Sequence, residues 1–160
     1  MENENKKHIE ALQRLVSICN DSKDSYLNAA EHTETDYFRQ TFWAIAKKRQ
    51  AFAQELKEHI LQLGGDADNE HGNFLGTINT FWSDLKNTVS KHSKDDKGIL
   101  TACRSADRSV LETYDDILQG SILYTDLKPV ITNQRTEIHE DFRVIDRMHE
   151  EQFSQGDKEL

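Results

Sequence analysis

The chain is poor in the residues that make turns and cross-links. One proline and seven glycines in 160 residues are too few for a fold of many short strands joined by Gly/Pro turns. There are two cysteines, Cys19 and Cys103. Each lies on an apolar helical stripe, without the spacing of a metal site, so reduced buried thiols are expected rather than a disulfide. No apolar run approaches the length of a membrane span, and the start, "MENENKKHIE", lacks the apolar stretch of a targeting signal. A cytoplasmic location is therefore expected. Basic residues are in deficit: 20 Lys and Arg against 29 Asp and Glu leave a formal charge of −9. That balance disfavours nucleic acid and anionic membrane surfaces as partners. Glycine-rich phosphate loops, Ser/His/Asp arrangements and Cys/His pairings are missing as well.

What the chain does have is helical period. Apolar residues recur every three to four positions in five segments, near residues 4–33, 36–63, 73–92, 97–119 and 125–153. Gly64-Gly65 stops the second, since glycine enters the left-handed C′ conformation without a Cβ clash. Pro129 fits the first turn of the last, where a missing N–H costs nothing. The tail after residue 153 is expected to fray. The length suits a single domain over residues 1–160.

Four long helices with a short one between the second and third predict an all-α four-helix bundle. The junction "HTETDY" is short, so the first two helices are expected to be antiparallel neighbours. The long path to residue 97 lets the third long helix run parallel to the second, as in the ferritin-like topology with one long crossover.

The second segment contains "FWAIAKKRQAFAQEL", in which Phe42, Ile45, Ala46, Phe52, Ala53 and Leu56 form a stripe and Arg49 takes a core slot. A di-iron site in such a bundle needs one Glu from each of two helices and Glu-x-x-His from each of the others. That set is incomplete here. Glu55, Glu58 and His59 have the wrong spacing, and Glu137 and His139 fall on different faces. Asp146 and His149 have the right spacing but sit near a helix end. The non-standard alternative for iron or zinc is Asp21, Asp107, Glu137 and His139. The remaining histidines, His8, His32, His59, His71 and His92, are expected at the surface.

The electrostatic reading of the same slots is a core polar layer of Arg49, Asp107, Asp21, Gln134 and His139, with Asn20 and Lys23 at a similar height. A buried guanidinium must be paired and hydrogen-bonded. Asp107 is the first choice of partner and Asp21 the second; the other possibility is that Arg49 snorkels to the edge. Tyr26 and Tyr114 lie on core stripes, where the ring packs and the hydroxyl is expected to donate locally.

The order and spacing of several landmarks resemble an uncharacterised bacterial family of ferritin-like bundles, a domain of unknown function related in fold to ferritins and rubrerythrins. They are Asp21, Tyr26 and Ala30; Arg49, Phe52, Leu56 and Leu63-Gly64-Gly65; Gly72, Gly76, Trp82 and Leu85-Lys86; Asp95-Asp96 before Ile99-Leu100; Cys103, Asp107 and Tyr114; and Gln134 and His139. The resemblance implies the fold and marks Arg49 as a family position, and it brings no activity. Where that family shows Gly-Glu-Asp, this chain reads Ser105-Ala106-Asp107, without the glutamate that could ligate metal.

The expectation is thus a non-catalytic ferritin-like bundle with a stress-related or protein-interaction role. The rival is a metal-binding protein with a non-standard ligand set. A homodimer is expected from the amphipathic 73–92 segment, whose Phe74, Phe81 and Trp82 ask for apolar cover at an interface; the alternative is that the segment packs across its own bundle.

Overall fold

The computed structural model describes residues 2–66, 96–120 and 123–158. Among them there are four α-helices and no strand: α1 (Glu2–His32), α2 (Asp36–Gln62), α3 (Asp96–Gln119) and α4 (Leu127–Lys158). The short helix expected within 73–92, with Phe74, Phe81 and Trp82, lies outside the described residues. None of the described helices is long and apolar enough to cross a membrane. α4 continues to Lys158 through the stretch expected to fray.

Cross-helix contacts fix the directions. Ala30 near the end of α1 accepts from Arg39 near the start of α2, and Ser22 farther back meets Arg49 farther on. α1 and α2 are therefore antiparallel. Tyr26 reaches Asp107, and Cys19 reaches Tyr114, so α1 and α3 are antiparallel too. α3 and α4 oppose one another through Arg104 with Asp146 and Arg135 with Asp115. Consequently α2 and α3 run the same way, against α1 and α4.

The ends are closed by side chains. Thr35, the N-cap of α2, has extended backbone but makes no side-chain cap. Its hydroxyl goes instead to Asp96 Oδ2 at 2.5 Å, while Thr33 Oγ1 donates to Asp96 Oδ1 at 2.7 Å. One carboxylate in the first turn of α3, where negative charge is favoured, thus ties down the α1–α2 link. Arg39 Nη2 donates to the Thr33 carbonyl at 2.8 Å, satisfying an acceptor that the end of α1 leaves open. After α2 the chain turns at Gly64, with φ +84°. Gly65 follows with its amide on the Ile60 carbonyl at 2.9 Å. A Cβ on Gly65 would lie 2.9 Å from methyl carbons of both Ile60 and Ile9, so α1 approaches this turn too closely for a side chain.

The apolar interior is in two parts. One holds Leu12, Leu15, Ile18, Leu56, Ile60, Tyr114, Ile131 and Ile138. The other holds Ala30, Phe38, Phe42, Ile45, Ile99, Leu100, Ile145 and Met148. Between them, on all four helices, comes a layer of polar side chains.

Candidate functional site: a buried ion-pair layer

Arg49 follows Ile45 and Ala46 by about one helical turn and precedes Phe52 and Ala53 by another, so the stripe that drives α2 into the core carries the arginine with it. The residue is 0 % exposed. The snorkelling possibility therefore does not describe it. Nη1 donates to Asp107 Oδ1 at 3.1 Å and to Ser22 Oγ at 3.1 Å, and Nη2 donates to Asp141 Oδ2 at 3.4 Å. Cζ lies 5.5 Å from the centre of the Tyr26 ring, within cation–π range. Nε is buried and has no hydrogen-bond partner among the described residues.

Each neighbour carries a second bond. Tyr26 Oη donates to the other Asp107 oxygen at 2.6 Å. Asp141 Oδ1 accepts from Lys48 Nζ at 3.2 Å at the rim, where Lys48 is half exposed. Two cations and two carboxylates thus balance across α2, α3 and α4, with hydroxyls from α1. Burial works against the Arg49 charge, but Asp107, Tyr26 and Asp141 outweigh it and raise the guanidinium above its ordinary value. Burial likewise lifts the Asp107 carboxyl above its ordinary 3.8, and Arg49 and Tyr26 draw it back part of the way.

Farther along the bundle, two turns away on α3 and α4, a second chain of bonds begins. Tyr114 Oη donates to Gln134 Oε1 at 2.8 Å, and Gln134 Nε2 donates to Glu55 Oε1 at 2.8 Å and to the Phe52 carbonyl at 3.3 Å. Cys19 Sγ lies 3.1 Å from Tyr114 Oη. With the tyrosine proton committed to Gln134, the thiol is the donor in that contact. Burial pushes the Cys19 thiol up to about 11, against the Tyr114 bond and Arg49. Burial also raises Cys103, with Asp107 adding to it. Neither cysteine is a thiolate at neutral pH, which rules against a nucleophilic role.

The expected layer is brought together in part. Arg49 and Asp107 are in contact, and Gln134 occupies the neighbouring network. Asp21 is buried on α1, its carbonyl accepting from Ser25 Oγ at 2.7 Å. His139 is only half-buried, its ring 6.3 Å from that of Phe142, and Glu137 is exposed. Position 139 is one residue past the core residue Ile138 and so turns about 100° from the bundle axis. Asp141 and Ser22, which the sequence reading did not select, supply the α4 and α1 contacts. Asp141 follows Gln134 by two helical turns, a spacing that marks it, but the adjacent Phe142 is the residue that apolar period selects. The tyrosine hydroxyls bond across the bundle and not locally. His8, expected at the surface, is 3 % exposed, stacked on Tyr124 with ring centres 3.6 Å apart. Tyr124 thereby covers one face of its ring, and Nδ1 lies 2.6 Å from the Glu4 carbonyl at the start of α1.

The carboxylate oxygens of this layer already have partners. The Asp107 oxygens are taken by Arg49 and Tyr26, and the Asp141 oxygens by Lys48 and Arg49. Asp21, Asp107, Glu137 and His139 are not gathered into one site, and no group of three or more His, Cys, Asp or Glu among the described residues could hold a metal.

The profile of a family described as a domain of unknown function (DUF2383) matches residues 7–120. That span includes most of α1 and all of α2 and α3, with Ser22, Arg49 and Asp107; Asp141 and Gln134 fall beyond it. No curated protein matches the chain.

Proposed function

The chain belongs to the DUF2383 family, a family defined without an activity, and from its own site we propose that it is a non-catalytic, ferritin-like helical scaffold whose centre is closed by an ion pair. The observation that carries this is Arg49, fully buried and bound to Asp107, Asp141 and Ser22 where the four helices converge. A cation fixed there repels Fe²⁺ or Zn²⁺ and satisfies the carboxylates that would otherwise bind them. Antiparallel hairpins with α2 and α3 parallel support the ferritin-like reading, since that direction pattern needs one long connection. The scaffold acts through its surface, in protein interaction. The homodimer expected from the 73–92 aromatics belongs to the same reading, and a monomer by light scattering at micromolar concentration removes it.

Metal analysis of protein purified from iron- and zinc-supplemented cells tests the proposal. No stoichiometric metal after chelator treatment is the expected result. Stoichiometric, chelator-resistant iron or zinc favours the rival metal-binding reading.

A further inference from the structure

A second polar cluster lies at the other end of the α3–α4 seam and takes no part in the central layer. His149, half-buried on α4, has both ring nitrogens engaged by α3. Nε2 lies 3.0 Å from Thr101 Oγ1 and Nδ1 lies 2.9 Å from Arg104 Nη1. The partners decide the tautomer. A guanidinium only donates, so Nδ1 accepts. The Thr101 hydroxyl gives its hydrogen to the Lys97 carbonyl at 2.8 Å, so toward the imidazole it accepts and Nε2 carries the proton. Arg104 is in turn anchored through Nε to Asp146 Oδ1 at 3.1 Å. The charged groups acting on the ring are Arg104 and Arg108 from α3, and Asp146 and Glu150 from α4.

We propose that Asp146, Arg104, His149 and Thr101 form a pH-sensitive clasp, closed while the imidazole is neutral and released when Nδ1 takes a proton. Protonation replaces the only lone pair that Arg104 can use with an N–H, so a donor faces a donor and two cations face each other at hydrogen-bond distance. The clasp sits over core contacts of both helices: Met148 and Ile145 on α4 pack with Ile99 and Leu100 on α3. Its release loosens the end of α4 against the start of α3, and the rest of the bundle keeps its own ion pairs. Burial and Arg104 both push His149 below its ordinary 6.5, with Asp146 and Glu150 pulling the other way. A histidine depressed on folding contributes stability above its unfolded value, and that contribution is lost as pH falls through the folded value.

The test is an imidazole ¹⁵N titration of the full chain, with amide exchange alongside. The clasp predicts an unprotonated Nδ1 at neutral pH and a His149 midpoint below 6.5, moving up toward that value in Arg104→Gln. Protection factors of amides in 98–104 and 145–150, corrected for the intrinsic pH dependence of exchange, fall between about pH 7.5 and about pH 5 in the parent protein. They lose that selective fall in His149→Gln. A proton on Nδ1, a midpoint at or above the ordinary value, or the same loss of protection in His149→Gln overturns the proposal.

Discussion

Replacing Arg49 with methionine keeps most of the side chain's volume and removes its charge, leaving two carboxylates facing each other in the interior. Three hydrogen bonds go, two of them to carboxylates, together with the contact to the Tyr26 face. Set against this loss is relief from burying the guanidinium itself. The balance for breaking a buried pair by removing one partner is about 3–5 kcal/mol of destabilisation, a large part of the roughly 5–15 kcal/mol that holds a typical domain. The cost also carries a pH signature. Burial already raises Asp107 and Arg49 opposes that rise, so without Arg49 the carboxyl rises farther. A group raised on folding favours the folded state at low pH and loses that contribution as pH increases through its folded value. The variant should therefore be weakest against its parent near about pH 8 and recover part of the difference toward about pH 5, where a raised carboxyl binds a proton. Urea unfolding followed by circular dichroism at both pH values, with a second probe to check two-state behaviour, measures the effect. A loss under about 1 kcal/mol, or one independent of pH, would refute a closed, desolvated ion pair.

Other perturbations probe separate parts of the structure. Gly65→Ala forces a Cβ against Ile9 and Ile60 and should cost about 1–3 kcal/mol by overpacking; a neutral result in urea unfolding would mean that α1 is not seated against the turn. Gln134→Leu leaves the Tyr114 hydroxyl and Cys19 thiol without their continuation to Glu55, and should cost about 1–3 kcal/mol by the same assay. With its thiol pushed up to about 11, Cys19 should resist a disulfide reagent in the native protein and react only as the protein unfolds; prompt labelling of native protein at neutral pH would contradict its burial.

The helices were legible because apolar period marks a core-facing stripe whatever the partner helix. The same logic exposed Arg49 and Asp107, since a charge in a core slot is an interruption of that stripe. Asp141 escaped it. On α4 an aspartate beside a phenylalanine reads as the polar edge, yet the structure buries Asp141 and leaves Phe142 half-exposed. The reason lies on α2: Arg49 and Lys48 between them supply donors for both Asp141 oxygens, a compensation that the sequence of α4 does not contain. Ser22 was hidden in the same way, as a small polar residue whose worth depends on a guanidinium 27 positions away. His139 drew attention by residue type although helical rotation puts it beside the core face. The tyrosine hydroxyls could be assigned to core stripes but not to partners, because the Tyr26 and Asp107 contact spans 81 positions and exists only after α1 and α3 have packed.

The central claim is that Arg49 and Asp107 act on each other and not merely near each other. A double-mutant cycle with Arg49→Met, Asp107→Leu and the combined variant, each measured by urea unfolding, isolates that term. A coupling of about 2–3 kcal/mol is predicted, with the combined variant more stable than Arg49→Met because an apolar pair removes the stranded charge. Coupling within about 0.5 kcal/mol of zero, or a combined variant no better than the single one, would contradict the account.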